Sequence, residues 1–375
     1  MRKLAFSRVQ VPDESESAAV VSITKSPLSV TVPAPVRVLF DASTVEGLAA
    51  QVELIAGAGG RTALVARPRP ALIPLSLAQQ RMWFLSRFDP DSAVNNIPIA
   101  LNIKGVLNVS ALRHAISDVI ERHESLRTVY PEQGGQGHQV VLPSSEVPVE
   151  LTPKVIDASH IHNELLSFAL QGFDVTSTVP VRVGLFELAE DSYVLAFVVH
   201  HIAADGFSMR PLTRDVMVAY TARVSNGVPN WTPLEVQYAD YTLCQRDVLG
   251  SPEDADSQLG RQLAYWVNEL KGTPELLELP TDRPRPARAS MRGAEFEFAV
   301  DSETTNRLAT IAREQNSTVF MVVHTALAVL LAKMSGSNDI AIGTPIAGRG
   351  ERALDDLVGM FVNTLVLRTE IAPAS

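Results

Sequence analysis

The spacing of apolar residues divides the chain after residue 75 into alternating helices and strands. Leu112, Ala115, Ile116, Val119 and Ile120 recur at three- and four-residue intervals, which predicts an amphipathic helix in "VSALRHAISDVIERHESL" at 109–126. By contrast, "SYVLAFVVH" at 192–200 is apolar at almost every position, which predicts a strand buried on both faces and central in its sheet. Such alternation indicates an α/β layered fold.

Capping residues and apolar runs predict further elements. "SLAQQRMWFLSRF" at 76–88 is predicted to be a helix capped by Ser76, and "SMRPLTRDVMVAYTARVSNG" at 208–227 a helix with Ser208 as cap, Pro211 in its first turn and Gly227 at its end. "STVFMVVHTALAVLLAKMSG" at 317–336 is apolar nearly all round, which predicts a buried helix. Strands "DIAIGTPIAG" at 339–348 and "FVNTLVLRTEI" at 361–371 are predicted to follow it.

The remaining segments separate these elements into regions. Residues 1–35 have scattered prolines and no helical periodicity, so we expect a loose segment. Residues 36–60 predict a single amphipathic helix capped by Ser43 or Thr44, and residues 61–75 a Pro-rich linker. "PTDRPRPARAS" at 280–290 predicts an irregular crossover, which divides the rest into 76–279 and 280–375.

Composition narrows the function classes. The chain has 375 residues, 46% of them hydrophobic, which is enough for a substantial core. Its net charge of −10 argues against binding nucleic acid or an anionic membrane surface, since both need clustered Lys and Arg. The single cysteine, Cys244, cannot form an internal disulfide, and the N-terminus lacks the apolar core of a secretory signal. We therefore expect a cytoplasmic protein whose partners are proteins or small molecules.

The stretch "VVHHIAADGFS" at 198–208 carries the candidate chemistry. Because neighbouring side chains of a strand point to opposite faces, only one of His200 and His201 can line a given pocket while the other packs. An imidazole can accept a proton from an attacking nucleophile at neutral pH, and Asp205 could orient it or bind a cation. We find no third ligand that would complete a metal site. From spacing alone, an acyl transferase or a hydrolase remains open.

In this stretch the sequence resembles the condensation domains of nonribosomal peptide synthetases, whose central motif is HHxxxDG followed by an aromatic residue and Ser. The other motifs of that family occur in order around it, from residue 76 to residue 368: "SLAQQRMWFL" at 76–85, "RHESLRTVY" at 122–130, "FDVTSTVPVRV" at 173–183, "YADYTLCQRD" at 238–247, "IGTPIAGR" at 342–349 and "GMFVNTLVLR" at 359–368. Collinear matches over so much of the chain are far more specific than the histidine pair alone.

The resemblance implies a chloramphenicol-acetyltransferase-like fold, in which two α/β lobes meet at the central motif. It implies an amide-forming reaction between an acyl thioester on an upstream carrier domain and the amine of an aminoacyl thioester on a downstream carrier, within an assembly line that also has an adenylation domain. The substrates would arrive on the phosphopantetheine arms of the carriers, with no cofactor and no metal bound to this chain.

The same resemblance implies roles for individual residues. His201 would lie beside the attacking amine, and Gly206 would place its backbone against the substrate. Asp205 would organise the site through an ion pair, for which we predict Arg349 as the partner. His200 and Ser208 would support the site, and Asn363 would fix the second lobe near the substrate tunnel. Trp83, Tyr238 and Asp240 are expected to be structural.

Two departures from the family pattern leave alternatives open. Residues 36–60 resemble the last helix of a carrier domain, but residues 1–35 contain no Gly and so no GG-x-S segment, and no phosphopantetheine serine is assigned. Only residues 291–375 follow the crossover, whereas a second lobe needs on the order of 150 to 200 residues, so we expect an incomplete second lobe with exposed apolar faces.

The chain would then be an enzyme only if its missing part completed it. The alternatives are a non-catalytic synthetase remnant or carrier-docking piece, and an acyltransferase of the same superfamily that uses coenzyme A. An epimerisation domain shares the histidine pair, but Met209 and Arg210 stand where Trp-Arg is expected after the serine.

Overall fold

The computed structural model describes residues 20–25, 28–33, 64–89, 92–287, 293–294 and 296–371. The strands are β1 Val20–Lys25, β2 Leu28–Pro33, β3 Ile73–Pro74, β4 Asn96–Lys104, β5 Thr128–Val129, β6 Glu132–Gln133, β7 Gln136–Val141, β8 Lys154–Val155, β9 Val181–Ala189, β10 Ser192–His200, β11 Asp339–Ile346 and β12 Asn363–Glu370. The helices are α1 Leu77–Phe88, α2 Val109–Arg122, α3 Ile161–Ala169, α4 Met209–Val224, α5 Tyr238–Leu249, α6 Gln258–Glu269, α7 Ser302–Glu314 and α8 Val319–Ser335.

A four-stranded sheet of order β4-β10-β9-β8 forms the centre of the first lobe. β10 is antiparallel to both of its neighbours, and β8 pairs parallel to β9 at one edge. Leu195 and Phe197 of β10 face the main core, whereas Val194 and Ala196 pack in a smaller cluster with α3. Apolar residues on both faces require this central position, so the prediction for 192–200 is confirmed.

Helices α2 and α4 cover the main-core face of this sheet. The side chain of Asn108 caps α2 by accepting the N–H of Ala111 at 2.9 Å. All the apolar residues predicted for its inner stripe are buried: Leu112, Ala115, Ile116, Val119 and Ile120. The helix ends at Arg122, earlier than predicted, and Glu124–Arg127 form a 3₁₀ turn in which the Ser125 hydroxyl donates to the carbonyl of Val358 at 2.7 Å.

The start of α4 differs from the prediction. Ser208 stands at the N-cap position, but its φ of −66° and ψ of −19° are helical and its side chain caps nothing in α4. Asp205 instead accepts the Ser208 N–H at 2.9 Å, capping the short 3₁₀ turn Gly206–Ser208. The Ser208 hydroxyl bonds to Asp205 three residues earlier and to Arg349 and Gly359, and a local sequence pattern cannot show the last two partners. At the other end Gly227 donates its N–H to Ala222 at 2.9 Å, closing the helix as predicted.

A second sheet of order β3-β7-β5 lies against α1. Ser76 and Gln79 form a capping box at the start of α1, which confirms the predicted cap. Trp83 donates its indole N–H to the carbonyl of Tyr130 at 2.8 Å, a structural contact as expected. In the predicted linker, residues 64–72 have no regular structure and β3 follows.

The second lobe contains α7, α8 and the antiparallel hairpin β11–β12. Both predicted strands are present, with slightly shorter bounds. The predicted burial of α8 is wrong: only Ala328 and Ala332 of this helix are buried, and its larger side chains Phe320, Leu327 and Leu330 are 55%, 42% and 53% exposed. Periodicity indicates that a helix is apolar, but burial requires covering elements, and none of the residues that the structure describes covers this face.

The N-terminal region shows a further difference. Residues 1–35 are predicted to be loose, yet β1 and β2 form an antiparallel hairpin with Lys25 opposite Leu28. "VVSITK" and "LSVTVP" are rich in β-branched residues, which favour extended backbone. The predicted helix in 36–60 lies outside the described residues. The described part of the crossover, residues 280–287, is irregular as predicted.

The segment after β11 joins the two lobes. Leu354, Leu357, Val358, Met360 and Phe361 are all at most 3% exposed and belong to the main core of the first lobe. The second lobe is therefore anchored by apolar burial next to the end of β10. This places residues 359–362 against the turn that carries Asp205.

Candidate active site

The two histidines occupy different environments at the end of β10. His200 is the last residue of the strand, pairs with Asn96 of β4 and is 1% exposed. His201 lies just beyond the strand, donates its backbone N–H to the carbonyl of Asn95 at 2.8 Å and is half-buried. One ring therefore packs inside the lobe, and the other remains accessible.

The ring of His201 has a fixed orientation. Its Nδ1 lies 3.2 Å from the carbonyl oxygen of Ala204. A carbonyl only accepts, so Nδ1 carries the proton and Nε2 keeps its lone pair. Burial lowers the pKa of His201, and the Ala204 carbonyl and the charge of Asp205 partly oppose this effect. At neutral pH the ring is therefore neutral and can accept a hydrogen bond or a proton at Nε2.

His200 makes contacts inside the lobe. Its Nδ1 accepts the backbone N–H of Ile202 at 3.1 Å, and its Nε2 lies 3.4 Å from the Ser86 hydroxyl of α1. The ring of Phe173 packs edge-on against it with centroids 6.0 Å apart. Burial, with a smaller contribution from neighbouring His201, lowers the pKa of His200 to about 4.

The carboxylate of Asp205 is completely buried and joins the two lobes. Its Oδ1 accepts from the Ser208 N–H at 2.9 Å and from Arg349 Nη2 at 3.2 Å, so the predicted ion pair is present. Its Oδ2 accepts the backbone N–H groups of Phe361 at 2.9 Å and Val362 at 3.2 Å. Because both oxygens are occupied by protein donors, this carboxylate does not face a substrate.

Arg349 and Ser208 also take part in the contact between the two lobes around Asp205, which is called the joint below. Arg349 Nη1 donates to the carbonyls of Leu354 at 2.5 Å and Leu357 at 2.9 Å, and its guanidinium stacks 4.2 Å from the centroid of the Phe361 ring. The Ser208 hydroxyl lies 2.9 Å from Arg349 Nη2 and also contacts the backbone of Gly359, whose N–H donates to it at 3.1 Å.

The last two predicted site residues are exposed. An added Cβ at Gly206 would meet nothing within 4 Å, so open space lies beside this backbone. Asn363 begins β12, and its Oδ1 accepts the neighbouring Thr364 N–H at 2.8 Å. In the part of the chain that the structure describes, Asn363 forms no hydrogen bond with the other predicted site residues. The structure thus links the residues from His200 to Ser208 with Arg349 by hydrogen bonds that do not include the Asn363 side chain.

Phe361 and Ser86 were not singled out from the sequence, and Tyr238 was given no partner. Tyr238 was expected to be structural, and its hydroxyl donates to the carbonyl of Met360 at 2.5 Å while lying 2.8 Å from the Ser76 hydroxyl. Phe361 stacks on Arg349, and Ser86 contacts His200. The only sequence signal for Tyr238 and Phe361 is their place inside the quoted motifs, which gives no partner, and Ser86 lies one residue beyond the first of these motifs.

The walls of a cavity of about 250 Å³ include Trp83, Ser86 and Phe173. Of these, Ser86 and Phe173 contact His200, and neither histidine lines the cavity. Within the described ranges, no group of three or more His, Cys, Asp or Glu could hold a metal ion.

The structure also bears on membrane spanning. Among the helices described, none alone has both the length and the hydropathy of a membrane span, and α7 with α8 reach them only as a pair bent by 104°.

Sequence comparison shows which family the chain belongs to. The family described as "Condensation domain" matches residues 71–375. The chain is 48% identical over 332 residues to the probable non-canonical nonribosomal peptide synthetase CymA of Salinispora arenicola, a match that covers 88% of this chain and 4% of the relative. It is 44% identical over 332 residues to a dimodular nonribosomal peptide synthase of Bacillus subtilis, covering 88% of this chain and 14% of the relative. The chain therefore spans only a small fraction of these relatives.

Solved structures share the fold of this chain. The X-domain from teicoplanin biosynthesis, solved in complex with OxyB, superposes with a TM-score of 0.78 at 34% identity, covering 83% of this chain and 68% of that one. The first condensation domain of the calcium-dependent antibiotic synthetase, in complex with a substrate analogue, superposes with a TM-score of 0.64 at 20% identity, covering 82% and 70%, which compares the fold alone.

Proposed function

Because the chain belongs to the condensation-domain family, we propose that it forms an amide between two carrier-bound thioesters in nonribosomal peptide synthesis. It has the chloramphenicol-acetyltransferase-like fold of that family. The predicted incompleteness of its second lobe stays a prediction. The observation that carries the proposal is the half-buried His201 ring, whose Nδ1 is bound to Ala204 while Nε2 has no hydrogen-bond partner among the described residues.

In the proposed reaction, the amine nitrogen of the acceptor attacks the carbonyl carbon of the donor thioester. The new N–C bond forms as the C–S bond breaks, the thiolate of the donor arm leaves, and the amine proton passes by way of His201 Nε2 to that leaving group or to solvent. General-base catalysis typically contributes roughly 10²- to 10⁴-fold, whereas aligning two reactants can supply roughly 7 to 11 kcal/mol. We therefore assign to His201 mainly the orientation of the amine, with proton removal secondary.

The other site residues have separate roles in this proposal. Asp205, Arg349 and Ser208 hold the turn and the joint in place and do not contact the reacting atoms. Gly206 offers open space for the substrate beside its backbone. Asn363 would act on the second lobe near the substrate path.

The proposed partners are an upstream and a downstream carrier domain, together with the adenylation domain of the same assembly line. The names of the relatives support this, since they are peptide synthetases of which this chain covers a small part. The substrates would arrive on phosphopantetheine arms of those carriers, and no phosphopantetheine serine is assigned here.

A reconstitution with two separate carrier domains tests the proposal. One carrier is loaded with an acyl-amino acid and the other with an amino acid, and the acceptor carrier is then examined by mass spectrometry for the amide product. We expect product that depends on both carriers. Equal product from acyl-coenzyme A without a donor carrier would instead support the coenzyme A acyltransferase, and absence of product with both donors would reject amide formation.

A non-catalytic binding role is the second candidate. It is favoured by the likeness to the X-domain, whose solved complex contains OxyB. In the same reconstitution, carrier binding without any amide product would support this candidate.

A further inference from the structure

The hydroxyl of Ser86 faces the ring of His200, and the directions of the surrounding hydrogen bonds are fully determined. The backbone N–H of Ile202 can only donate, and it points at His200 Nδ1 from 3.1 Å. His200 Nδ1 must therefore be the unprotonated nitrogen.

The direction of the hydrogen bond at Nε2, on the opposite side of this ring, can be derived in the same way. The single proton of the Ser86 hydroxyl is directed to the carbonyl of Met82, one turn earlier in α1, at 2.9 Å. The Ser86 oxygen can then only accept from His200 Nε2, which lies 3.4 Å away. The bonds run in one direction, from Ile202 through His200 and Ser86 to Met82.

This series of hydrogen bonds affects the position of His201, because both histidines belong to one turn. Ile202 follows His201 directly, and the N–H of Ala203 closes the turn on the carbonyl of His200 at 2.9 Å. The ring of His201 is bound to Ala204 in the same turn. Displacement of the Ile202 amide would therefore move both the backbone and the hydrogen-bond acceptor that orient His201.

We propose that Ser86 is a positioning residue for the amide-forming reaction, because its hydroxyl accepts the Nε2 proton of the His200 tautomer that the Ile202 N–H selects, and thereby holds the ring and the turn that presents His201. Burial supports this role. His200 and Ile202 are 1% and 0% exposed, so their polar atoms depend on protein partners. The ring is neutral at pH 7, so Nε2 carries its single proton and the Ser86 oxygen is the acceptor that this proton faces.

Substitution of Ser86 by Ala tests the inference, with Ser117→Ala as the matched control. Ser117 also donates to the carbonyl four residues earlier, Arg113, at 3.2 Å, but it lies on the exposed side of α2 and has no histidine partner. We expect Ser86→Ala to lower kcat by roughly ten- to a hundredfold, the cost of a misplaced catalytic group, with KM for both carriers unchanged. Ser86→Thr, which keeps the hydroxyl, should restore kcat, and Ser117→Ala should match the unmodified chain.

A second readout does not depend on activity. Nitrogen-15 labelling of the eight histidines gives the protonation of each ring nitrogen, and the resonances lost in His200→Gln identify His200. We expect a protonated Nε2 and a bare Nδ1 in the unmodified chain, with the two shifts moving toward each other in Ser86→Ala. A protonated Nδ1, unchanged shifts in Ser86→Ala, or changed shifts with unchanged kcat would overturn the inference.

The expected change in kcat rests on the proposed function. The experiments still distinguish a failure of the proposed function from a failure of the role proposed for Ser86. A chain that makes no amide product at all refutes the proposed function, while the nitrogen shifts still decide whether Ser86 fixes His200. A loss of kcat that Ser86→Thr does not restore would show that the residue matters only for packing.

Discussion

At the scale of single residues, the largest loss of stability is predicted for a change at the buried carboxylate of Asp205. In Asp205→Asn the amide loses the charge that compensates Arg349 and brings an N–H₂ group towards donors. We expect the free energy of unfolding in urea to fall by about 3 to 5 kcal/mol, as when one partner of a buried ion pair is removed. Asp247→Asn is the control, because Asp247 pairs with Arg67 while 61% exposed and should cost about 1 kcal/mol or less. A stable but inactive Asp205→Asn would place this carboxylate in the chemistry instead.

The buried ring of His200 predicts sensitivity to acid. Its pKa is about 4 in the folded chain, below the ordinary value of 6.5, so the unfolded chain binds a proton first as the pH falls. Stability is therefore fully present above pH 6.5 and is lost progressively between pH 6.5 and 4, by at most about 3 kcal/mol from this group. In urea unfolding between pH 7.5 and 4.5, the free energy of unfolding should fall more steeply with decreasing pH for the unmodified chain than for His200→Gln. Parallel curves would contradict the burial of a neutral ring.

Sequence reasoning reached some of these residues and missed others. The Asp205–Arg349 ion pair could be predicted because both residues lie in motifs of a known family. The contacts of the Ser208 hydroxyl with Gly359 and Arg349 could not be predicted, since these partners lie more than a hundred residues away. Ser86 was missed for the same reason: its contact with His200 depends on how α1 packs against the end of β10.

At the scale of elements, apolar spacing predicts the type of an element better than its burial. α2 and β10 match their predictions because their partners, the sheet and its helices, belong to the same lobe. α8 has the composition of a core helix, but Phe320, Leu327 and Leu330 are exposed among the described residues. Pattern alone cannot tell which element covers an apolar face.

The exposed face of α8 predicts self-association of the 375-residue chain. Replacing Leu327 and Leu330 with Gln should raise the concentration at which light scattering detects aggregates, because each removes exposed apolar surface. The free energy of unfolding should change by less than about 1 kcal/mol. Ala328→Gln on the same helix is the control: Ala328 is 0% exposed, and a longer polar side chain there should destabilise the fold. Unchanged aggregation in the double variant would contradict this account.

At the scale of the whole molecule, the joint between the lobes depends on a glycine. A Cβ at Gly359 would lie 2.2 Å from Cδ2 of Tyr238 and 2.7 Å from Cε2 of Phe361, both rings in the core. Gly359→Ala should therefore displace the segment that bonds Ser208 and cost about 1 to 3 kcal/mol. We expect faster hydrogen exchange of the amides at 357–362. Gly293→Ala, where a Cβ meets nothing within 4 Å, should leave exchange unchanged, and equal exchange in both variants would mean that the joint is looser than it is in this structure.

The most direct test of the central claim is the single-turnover rate of amide formation between two loaded carriers with the unmodified chain and with His201→Ala. If His201 mainly orients the amine and secondarily accepts its proton, the variant should still form product at a lowered rate, with unchanged unfolding and carrier binding. An unchanged rate would remove His201 from the reaction. Complete loss of product in a folded variant that still binds carriers would show that proton transfer, and not orientation, is its main role.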